Sequence, residues 1–370
     1  MQKVLEEAGG WRVRHWSATK TKSLECVEAR AELDRSAAAA IRRWEGYAET
    51  PVHSLASVAS AVGVAEVWAK DESGRFGTGS FKPLGSALVV EELAAKHGAD
   101  ITVSAASDGN HGLGLAWGAR RAGCRAVVYL GAAVSATMSA KIEAFGATVV
   151  RVDGGYEASI EACRRDADER GWYVVQDVAR EGYVDIPRRI HSGYSVVATE
   201  IIEAGLEPTH VLLNSGVGGF AAGVFACLSR HARPRFATVE PTEADCLLRR
   251  ANGDGPTTKG PTVQVGLDCH DPCPLAWRAL EGLVDDFLAV PDEAVAPVVR
   301  FLAADYDLHV GESAVAGLAA LVAAAKNPDL KAALELDRES RVLVVLCEAP
   351  PDLDAHHALL LLDREEEEGR

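Results

Sequence analysis

The sequence predicts an α/β protein in which helices cover both faces of a mostly parallel sheet. Short β-branched runs alternate with alanine-rich amphipathic stretches, a pattern typical of strand–helix–strand units joined by right-handed crossovers. Hydrophobic residues make up 48% of the 370 residues and charged residues 25%, as is ordinary for a globular protein. A chain of this length is expected to form two subdomains or one large α/β domain.

The individual elements follow from this alternation in chain order. The predicted strands are Glu66–Lys70, Ile101–Ser104, Ala126–Leu130, Thr148–Val152, Tyr173–Gln176, His210–Asn214, Phe236–Val239 and Arg341–Cys347. The predicted helices are Gly85–Lys96, Gly109–Ala122, Ala136–Phe145, Tyr156–Arg170, Val184–Ala204, Gly219–Ser229, Leu275–Glu281, Asp292–Asp307 and Ser313–Lys326. Repeated strand–helix units between residues 85 and 194 predict a small α/β domain there, inserted into a large domain formed by residues 1–84 and 195–370.

Composition excludes several classes of function. A net charge of −16, from 38 basic and 54 acidic side chains, argues against nucleic acid and anionic membranes as partners. No signal peptide or membrane span is predicted, because the longest apolar stretch, Ala314 to Ala325, is too short. We therefore expect a cytoplasmic protein, and we interpret the acidic residues 363–370 as a solvated tail.

The cysteines are expected to be reduced. Most of the eight lie singly in apolar segments and are interpreted as small buried hydrophobes. Cys269 and Cys273 lie on either side of His270, but no second ligand pair with zinc-like spacing follows, so no metal site is expected.

Lys82 is the first candidate for chemistry. Phe81 precedes it and Pro83 and Leu84 follow it, in a stretch rich in glycine. Apolar surroundings favour a neutral amine, because desolvation penalises the charged form, and a neutral amine is what a Schiff-base lysine needs. Taken alone, this lysine is more readily interpreted as one that caps a turn.

Two glycine-containing loops each follow a strand and open a helix. In the first, Ser107–Gly112, backbone amides at a helix start could hold a carboxylate, and Asn110 offers an amide to a phenolic oxygen; a capping loop, with Ser107 or Asp108 as N-cap, is the alternative. In the second, Gly216–Gly219, free backbone amides could surround a phosphate, while a tight turn or a dinucleotide loop is the alternative.

Two further side chains lie just past predicted strands. The Cys347 thiol could hydrogen-bond a pyridine nitrogen without protonating it, or could simply be a buried structural cysteine. Asp177 could act as an acid or base, or could cap the following helix. A lysine, a phosphate loop, an amide for a phenolic oxygen and a partner for a ring nitrogen together match the needs of pyridoxal 5′-phosphate (PLP).

At this point the chain resembles the fold-type II, tryptophan synthase β-like family of PLP enzymes, and more narrowly the 2,3-diaminopropionate ammonia-lyases. The resemblance runs from about Thr50 to Asp352. Its matching segments are residues 70–77, 80–82, 107–112, 176–177, 181–183, 216–218, 239–241, 266–267 and 274–277. The aspartate inserted ahead of Gly-Asn-His, Asp108, separates these lyases from ordinary serine/threonine dehydratases. Pro83, Ser86 and the segment after Glu348 depart from the family's usual pattern.

The resemblance implies roles for individual residues. Lys82 forms the Schiff base and takes the α-proton of an L-substrate, whereas Asp108 takes that of a D-substrate and Asp177 is a supporting acid. Asn110 contacts the 3′ oxygen of the cofactor. The remaining implied cofactor contacts are Phe81, Gly216, Val217, Gly218, Gly219 and Cys347, and the implied substrate loop contains Ser107, Asp108, Gly109 and His111. Cys246 and Cys269 match cysteines that can pair in relatives.

The resemblance therefore implies a fold-type II enzyme with a parallel or mixed sheet, an inserted smaller α/β domain and PLP as cofactor. The implied reaction is β-elimination from a small β-substituted amino acid, with 2,3-diaminopropionate giving pyruvate and ammonia. A serine/threonine-type dehydratase, a β-replacement synthase, a nucleotide-binding protein and a catalytically silent regulatory homologue are the alternatives. Because relatives are usually homodimers, a homodimer is expected.

Overall fold

A computed structural model shows two β-sheets flanked by helices. It describes residues 1–18, 24–33, 36–256, 260–353, 356 and 358–359. The predicted acidic tail, 363–370, lies outside this part of the chain. Among the described residues, no helix combines the length and apolar character that a membrane crossing requires.

The larger sheet is mixed and has the strand order β1-β10-β9-β8-β11-β3-β2. Its strands are β1 Arg14–Ser17, β2 Val52–Ser54, β3 Glu66–Asp71, β8 His210–Asn214, β9 Arg235–Pro241, β10 Asp286–Val290 and β11 Arg341–Leu346. The inner strands pair in parallel, while β1 and β2 pair antiparallel at the two edges. Complete burial of β8 and β10 explains why these strands are nearly continuous apolar runs.

The smaller sheet is parallel and has the order β6-β5-β4-β7. Its strands are β4 Thr102–Ala106, β5 Arg125–Gly131, β6 Thr148–Val152 and β7 Tyr173–Val174. All four lie within residues 102–174, inside the range predicted for the inserted domain. The boundaries at residues 84 and 194 themselves stay a prediction.

The helices agree closely with the predicted ones where the apolar pattern is strong. They are α1 Gln2–Ala8, α2 Leu24–Ala31, α3 Ser36–Ile41, α4 Ala56–Val62, α5 Pro83–His97, α6 Asn110–Ala122, α7 Ala136–Ala144, α8 Tyr156–Arg170, α9 Asp185–Gly193, α10 Ser195–Glu203, α11 Gly219–Leu228, α12 Cys246–Asn252, α13 Pro274–Leu280, α14 Val295–Tyr306, α15 Ala316–Ala324 and α16 Pro328–Ala333. The helix α5 begins two residues earlier than predicted, because proline is well suited to the first helical position.

The fold differs from the prediction in several features, among them the helices α1 to α4, α12 and α16, which were not predicted. A single helix over 184–204 is wrong, because the chain breaks at Tyr194 between α9 and α10. There Gly193 packs directly against the backbone carbonyl of Leu84 in α5, an approach that a side chain would block. The edge strands β1 and β2 and the inner strand β10 were not predicted either. Runs of three or four residues, as in β2 and β1, carry too little periodicity to identify a strand.

Candidate active site

A cavity of about 780 Å³ lies where loops from the two sheets meet. Segments that follow β4, β7, β8 and β11 line it, together with the start of α5 and the chain around residues 261–270. In α/β folds these carboxyl ends of parallel strands are where ligands bind. The cavity brings together all of the candidate residues predicted from the sequence, which are Phe81, Lys82, Ser107, Asp108, Gly109, Asn110, His111, Asp177, Gly216, Val217, Gly218, Gly219 and Cys347.

Lys82 is paired with Asp177 in this cavity. The Lys82 Nζ donates to Asp177 Oδ2 at 2.7 Å. Burial lowers the pKa of the Lys82 ammonium, but the Asp177 carboxylate outweighs it and leaves the pKa above its ordinary value. The same pair leaves the pKa of Asp177 below its ordinary value, although burial opposes this. The predicted neutral amine is therefore wrong for this structure, because the sequence could not show a carboxylate 95 positions away.

Two buried histidines hold the segment that carries Asp177. His111 Nε2 lies 2.7 Å from the Val175 carbonyl, and His191 Nε2 lies 2.9 Å from the Asp177 carbonyl. Burial lowers the pKa of both imidazoles, that of His191 to about 4, so both are neutral near pH 7. Helix α9 begins eight residues after Asp177, so the alternative of a helix N-cap does not hold.

The Ser107–Gly112 loop combines a cap with an anion site. Ser107 Oγ accepts from the amides of Gly109 and Gly112, both at 2.9 Å, although Gly109 itself is the N-cap residue. As the first two amides of α6, those of Asn110 and His111 have no carbonyl acceptor within the helix. Both the capping and the anion-binding interpretation of this loop therefore find support.

Asp108 projects from the same loop into the cavity. Desolvation and the nearby Asp268 carboxylate raise the pKa of Asp108 to about 6. A carboxyl group with this pKa exists in both protonation states near neutral pH, as a general acid or base requires.

The Gly216–Gly219 loop connects β8 to α11 and lines the cavity. Gly218 has a φ of +94°, a conformation that favours glycine. A Cβ on Gly219 would press against the His191 ring, with Cδ2 at 2.7 Å, and a Cβ on Gly216 would lie 2.7 Å from Cys269 Sγ. The absence of side chains leaves backbone amides at a helix start facing the cavity, an arrangement that binds phosphate.

Cys347 ends β11 at the cavity wall with 4% of its surface exposed. Its thiol lies 3.5 Å from the Ser313 carbonyl and 3.6 Å from Asn214 Nδ2. Burial raises the pKa of Cys347, with a further contribution from Glu348, so the thiol stays neutral. A neutral thiol suits a ring nitrogen that is to remain unprotonated.

Tyr194, Tyr156 and Glu348 are among the residues of the cavity wall that the sequence did not predict. Tyr194, at the break between α9 and α10, packs edge-on against Phe81 with ring centroids 5.0 Å apart, and Phe81 stacks on Phe220 at 3.8 Å. The Tyr156 hydroxyl accepts from Gln176 Nε2 at 2.8 Å. Glu348 binds Asn110, as described below. Glu348 directly follows Cys347, which was a predicted site residue, whereas no sequence signal marked the two tyrosines.

The cysteines that match a pair in relatives are both free here. Cys246 Sγ lies 3.7 Å from the Gly216 carbonyl, and Cys269 packs beside Gly216 from the other side of the loop. Burial raises the pKa of both thiols, that of Cys269 to about 12. Among the described residues, no group of three or more metal-binding side chains is arranged to hold an ion.

The residues present fit PLP. A lysine amine in the cavity can bond an aldehyde carbon, and the glycine loop at the start of α11 lines the same cavity, where backbone amides can bind a phosphate. Asn110 and Cys347 both line the cavity, where they can donate to an aromatic heterocycle.

Comparison with known proteins decides the family. The family described as "Pyridoxal-phosphate dependent enzyme" matches residues 43–348. The chain belongs to this family of pyridoxal-phosphate dependent enzymes. The predictions of family, fold-type II architecture and PLP as cofactor are confirmed.

Close relatives of this PLP enzyme carry one name. Diaminopropionate ammonia-lyase of Escherichia coli (strain K12) is 34% identical over 342 residues, which cover 83% of this chain and 86% of the relative. The crystal structure of holo diaminopropionate ammonia lyase from Escherichia coli matches with a TM-score of 0.86 at 30% identity, covering 95% of this chain and 98% of that one. A structure of the same lyase with an aminoacrylate–PLP azomethine reaction intermediate has a TM-score of 0.85 at 31% identity, with coverage of 96% and 98%. The predicted class, a PLP-dependent carbon–nitrogen lyase that performs β-elimination, is confirmed.

Proposed function

We propose that this enzyme converts 2,3-diaminopropionate to pyruvate and two molecules of ammonia. The observation that carries the proposal is the acidic cavity around Lys82: Asp177 pairs with the lysine at 2.7 Å, and Asp108 lines the same cavity from another loop. A substrate with a second amino group is cationic at its β-position, so carboxylates favour it over a neutral β-hydroxyl. Relatives that cover most of the chain carry the corresponding name.

Lys82 and Asp108 are the proposed bases for the α-proton. Bound at Lys82, PLP supplies an electron sink for the charge that develops on the α-carbon. The Lys82 Nζ takes the proton from one face of the substrate when it is a neutral amine, and Asp177, which stays a carboxylate, stabilises the ammonium that forms. Asp108, with a pKa raised to about 6, is ionised at neutral pH and can take the proton from the other isomer.

The β-amino group then leaves as ammonia. A protonated β-amino group needs no further acid to depart, because breaking the Cβ–N bond releases neutral ammonia directly. The Asp177 carboxylate stabilises this protonated form. Water finally replaces the remaining α-nitrogen, so that one diaminopropionate and one water give one pyruvate and two ammonias.

The substrate carboxylate is proposed to bind at the start of α6. The amides of Asn110 and His111 point out of the helix, and the positive end of the helix dipole favours a negative charge there. Ser107 supports this site by occupying the amides of Gly109 and Gly112, which holds the loop in one conformation.

The test is turnover of D- and L-2,3-diaminopropionate by the PLP-loaded enzyme, with serine as the competing substrate and Lys82→Ala as the inactive control. We expect about two ammonias per pyruvate, by the stoichiometry above, and a kcat/KM for diaminopropionate well above that for serine. Faster turnover of serine would indicate the dehydratase alternative instead. Pyruvate formation only when a second nucleophile is absent would indicate β-replacement, and no turnover by a cofactor-loaded enzyme would indicate the silent homologue.

The proposal also includes an oligomeric state and a cellular location. We propose a homodimer in the cytoplasm, because homodimers are usual in the family that the chain resembles and most of its cysteines lie singly in apolar segments. Sedimentation of the holoenzyme at several concentrations tests the dimer, and a single monomeric species would contradict it.

A further inference from the structure

Glu348 is a buried carboxyl group at the junction of the two sheets. Only 5% of its surface is exposed, and it follows Cys347 directly after β11 of the larger sheet. Its Oε2 accepts from Asn110 Nδ2 at 2.5 Å, and Asn110 begins α6, which follows β4 of the smaller sheet. This hydrogen bond therefore joins the part of the cavity wall that follows the larger sheet to the part that follows the smaller sheet.

Both Glu348 oxygens accept from N–H groups. Besides Asn110, the Ser313 amide donates to Oε1 at 3.3 Å. Asn110 has two amide hydrogens, and the bond to Glu348 occupies one of them. The other remains for a group inside the cavity, which Asn110 also lines.

The backbone around Glu348 is anchored to the segment that carries Lys82. The Ala349 amide donates to the Gly79 carbonyl at 2.8 Å, and the Phe81 amide donates to the Cys347 carbonyl at 3.4 Å. The Gly311 amide donates to the Glu348 carbonyl at 3.0 Å. Glu348 thus has a fixed position relative to Lys82, so it can set the position of Asn110 relative to the same lysine.

Two neighbouring glycines leave room for this carboxyl group. A Cβ on Gly311 would lie 3.0 Å from Glu348 Oε1, and a Cβ on Gly266 would lie 3.2 Å from Oε2. The site therefore confines the carboxyl group to one place, as expected of a group that orients another side chain.

We propose that Glu348 is a positioning residue that orients the Asn110 amide toward the bound cofactor. Glu348 acts through Asn110. The inference depends on PLP as cofactor and is independent of which amino acid the enzyme consumes.

The experiment is a titration of apoenzyme with PLP, read by the visible absorption of the protein-bound cofactor and by protein fluorescence. The variants are Glu348→Gln, Asn110→Ala and the double variant. Glutamine has the same shape but turns an NH₂ group toward one of the two donors. We expect Glu348→Gln and Asn110→Ala each to weaken PLP binding by about tenfold, the effect of losing one hydrogen bond.

The double variant distinguishes positioning from independent effects. If Glu348 acts through Asn110, the double variant binds PLP no more weakly than Asn110→Ala alone. If the two losses of PLP affinity multiply in the double variant, or if either single variant binds PLP as tightly as wild type, the proposal is wrong. Glu339→Gln is the control, because Glu339 is exposed and does not line the cavity, and it should stay within about twofold of wild type.

Thermal unfolding of each apoenzyme separates loss of fold from loss of orientation. If Glu348→Gln fails to fold, Glu348→Asp replaces it in the experiment with the same expected result. Aspartate keeps the carboxyl group, but its side chain is shorter by one methylene group. Because no amino-acid substrate is present, failure of this proposal is distinguishable from failure of the proposed reaction.

Discussion

Lys82 Nζ and Asp177 Oδ2 lie 2.7 Å apart, and their hydrogen bond joins the start of α5 to the loop that follows β7. The pair is partly buried, so the attraction between the two charges is screened less than it would be in water. The Asp177 carboxylate therefore stabilises the ammonium form of Lys82. The acid–base chemistry of the site depends on this pair.

Asp177→Asn should reduce kcat/KM by about 10² to 10⁴, the range for loss of a positioned acid or base. The amide has the same shape but carries no charge, so the pKa of Lys82 falls as well. Steady-state kinetics from pH 6 to 10 measure both effects. Asp185→Asn is the matched control, because Asp185 is exposed nearby and pairs only with Arg188 among the described residues. A kcat/KM within about threefold of wild type would contradict the role of Asp177.

Asp108→Asn should affect the two substrate isomers differently. With a pKa of about 6, Asp108 is ionised above that pH, so kcat/KM for the isomer that uses it rises as the pH increases through 6 and then levels off. In the Asp108→Asn variant this rise of kcat/KM with pH should disappear, and the rate for the D-isomer should fall by a factor of about 10² or more. The rate for the L-isomer should be nearly unaffected. Equal losses for both isomers would assign Asp108 to binding rather than to proton transfer.

Gly219→Ala should weaken PLP binding and destabilise the fold by about 1 to 3 kcal/mol. The new methyl group would press against the His191 ring, which itself holds the Asp177 carbonyl. Chemical denaturation of the apoenzyme and a PLP titration measure the two effects. Gly255→Ala is the control, because a Cβ there meets nothing within 4 Å, and an equal loss in both variants would contradict the argument.

Glu200→Gln should destabilise the protein by roughly 3 to 5 kcal/mol, because it removes a carboxylate that two buried cations share. Arg75 keeps its ion pair with Glu72, whereas Lys70 keeps, among the described residues, only its hydrogen bond to the Thr50 carbonyl. Glu200 binds Lys70 at 2.5 Å and Arg75 at 2.7 Å, and each of the three side chains is about 1% exposed. Burial opposes ionisation, but the hydrogen bonds and charge of Arg75, followed by Lys70, lower the pKa of Glu200 to about 2.

The pH dependence of this stabilisation has a definite sign. It is fully present above the unfolded pKa of 4.5 and is lost as the pH falls toward 2, so the stability difference between wild type and Glu200→Gln should shrink over that interval. Urea denaturation at several pH values measures it. Glu203→Gln, which removes an exposed partner of Arg42 from the same helix, should cost no more than about 1 kcal/mol. A similar loss in both variants would contradict the importance of burial.

Local sequence patterns predicted much of the fold. The helix Tyr156–Arg170 and the strand His210–Asn214 both have the bounds that the sequence predicted. The helix has a clear periodicity with glycine beside it, and the strand is an apolar run. The break at Tyr194 could not be predicted, since it depends on how closely Gly193 approaches α5.

The sequence by itself determined which chemical groups this enzyme has: a lysine between apolar neighbours, two glycine loops at helix starts, and a thiol at a strand end. Those motifs are local, so their residue types and spacing are readable along the chain. Only the tertiary structure decided which groups are neighbours and in which protonation state. Asp177 reaches Lys82 and Glu348 reaches Asn110 across 95 and 238 positions, and burial determines the pKa values of such pairs. Contacts and desolvation of this kind arise from the packing of distant segments, which no local pattern encodes.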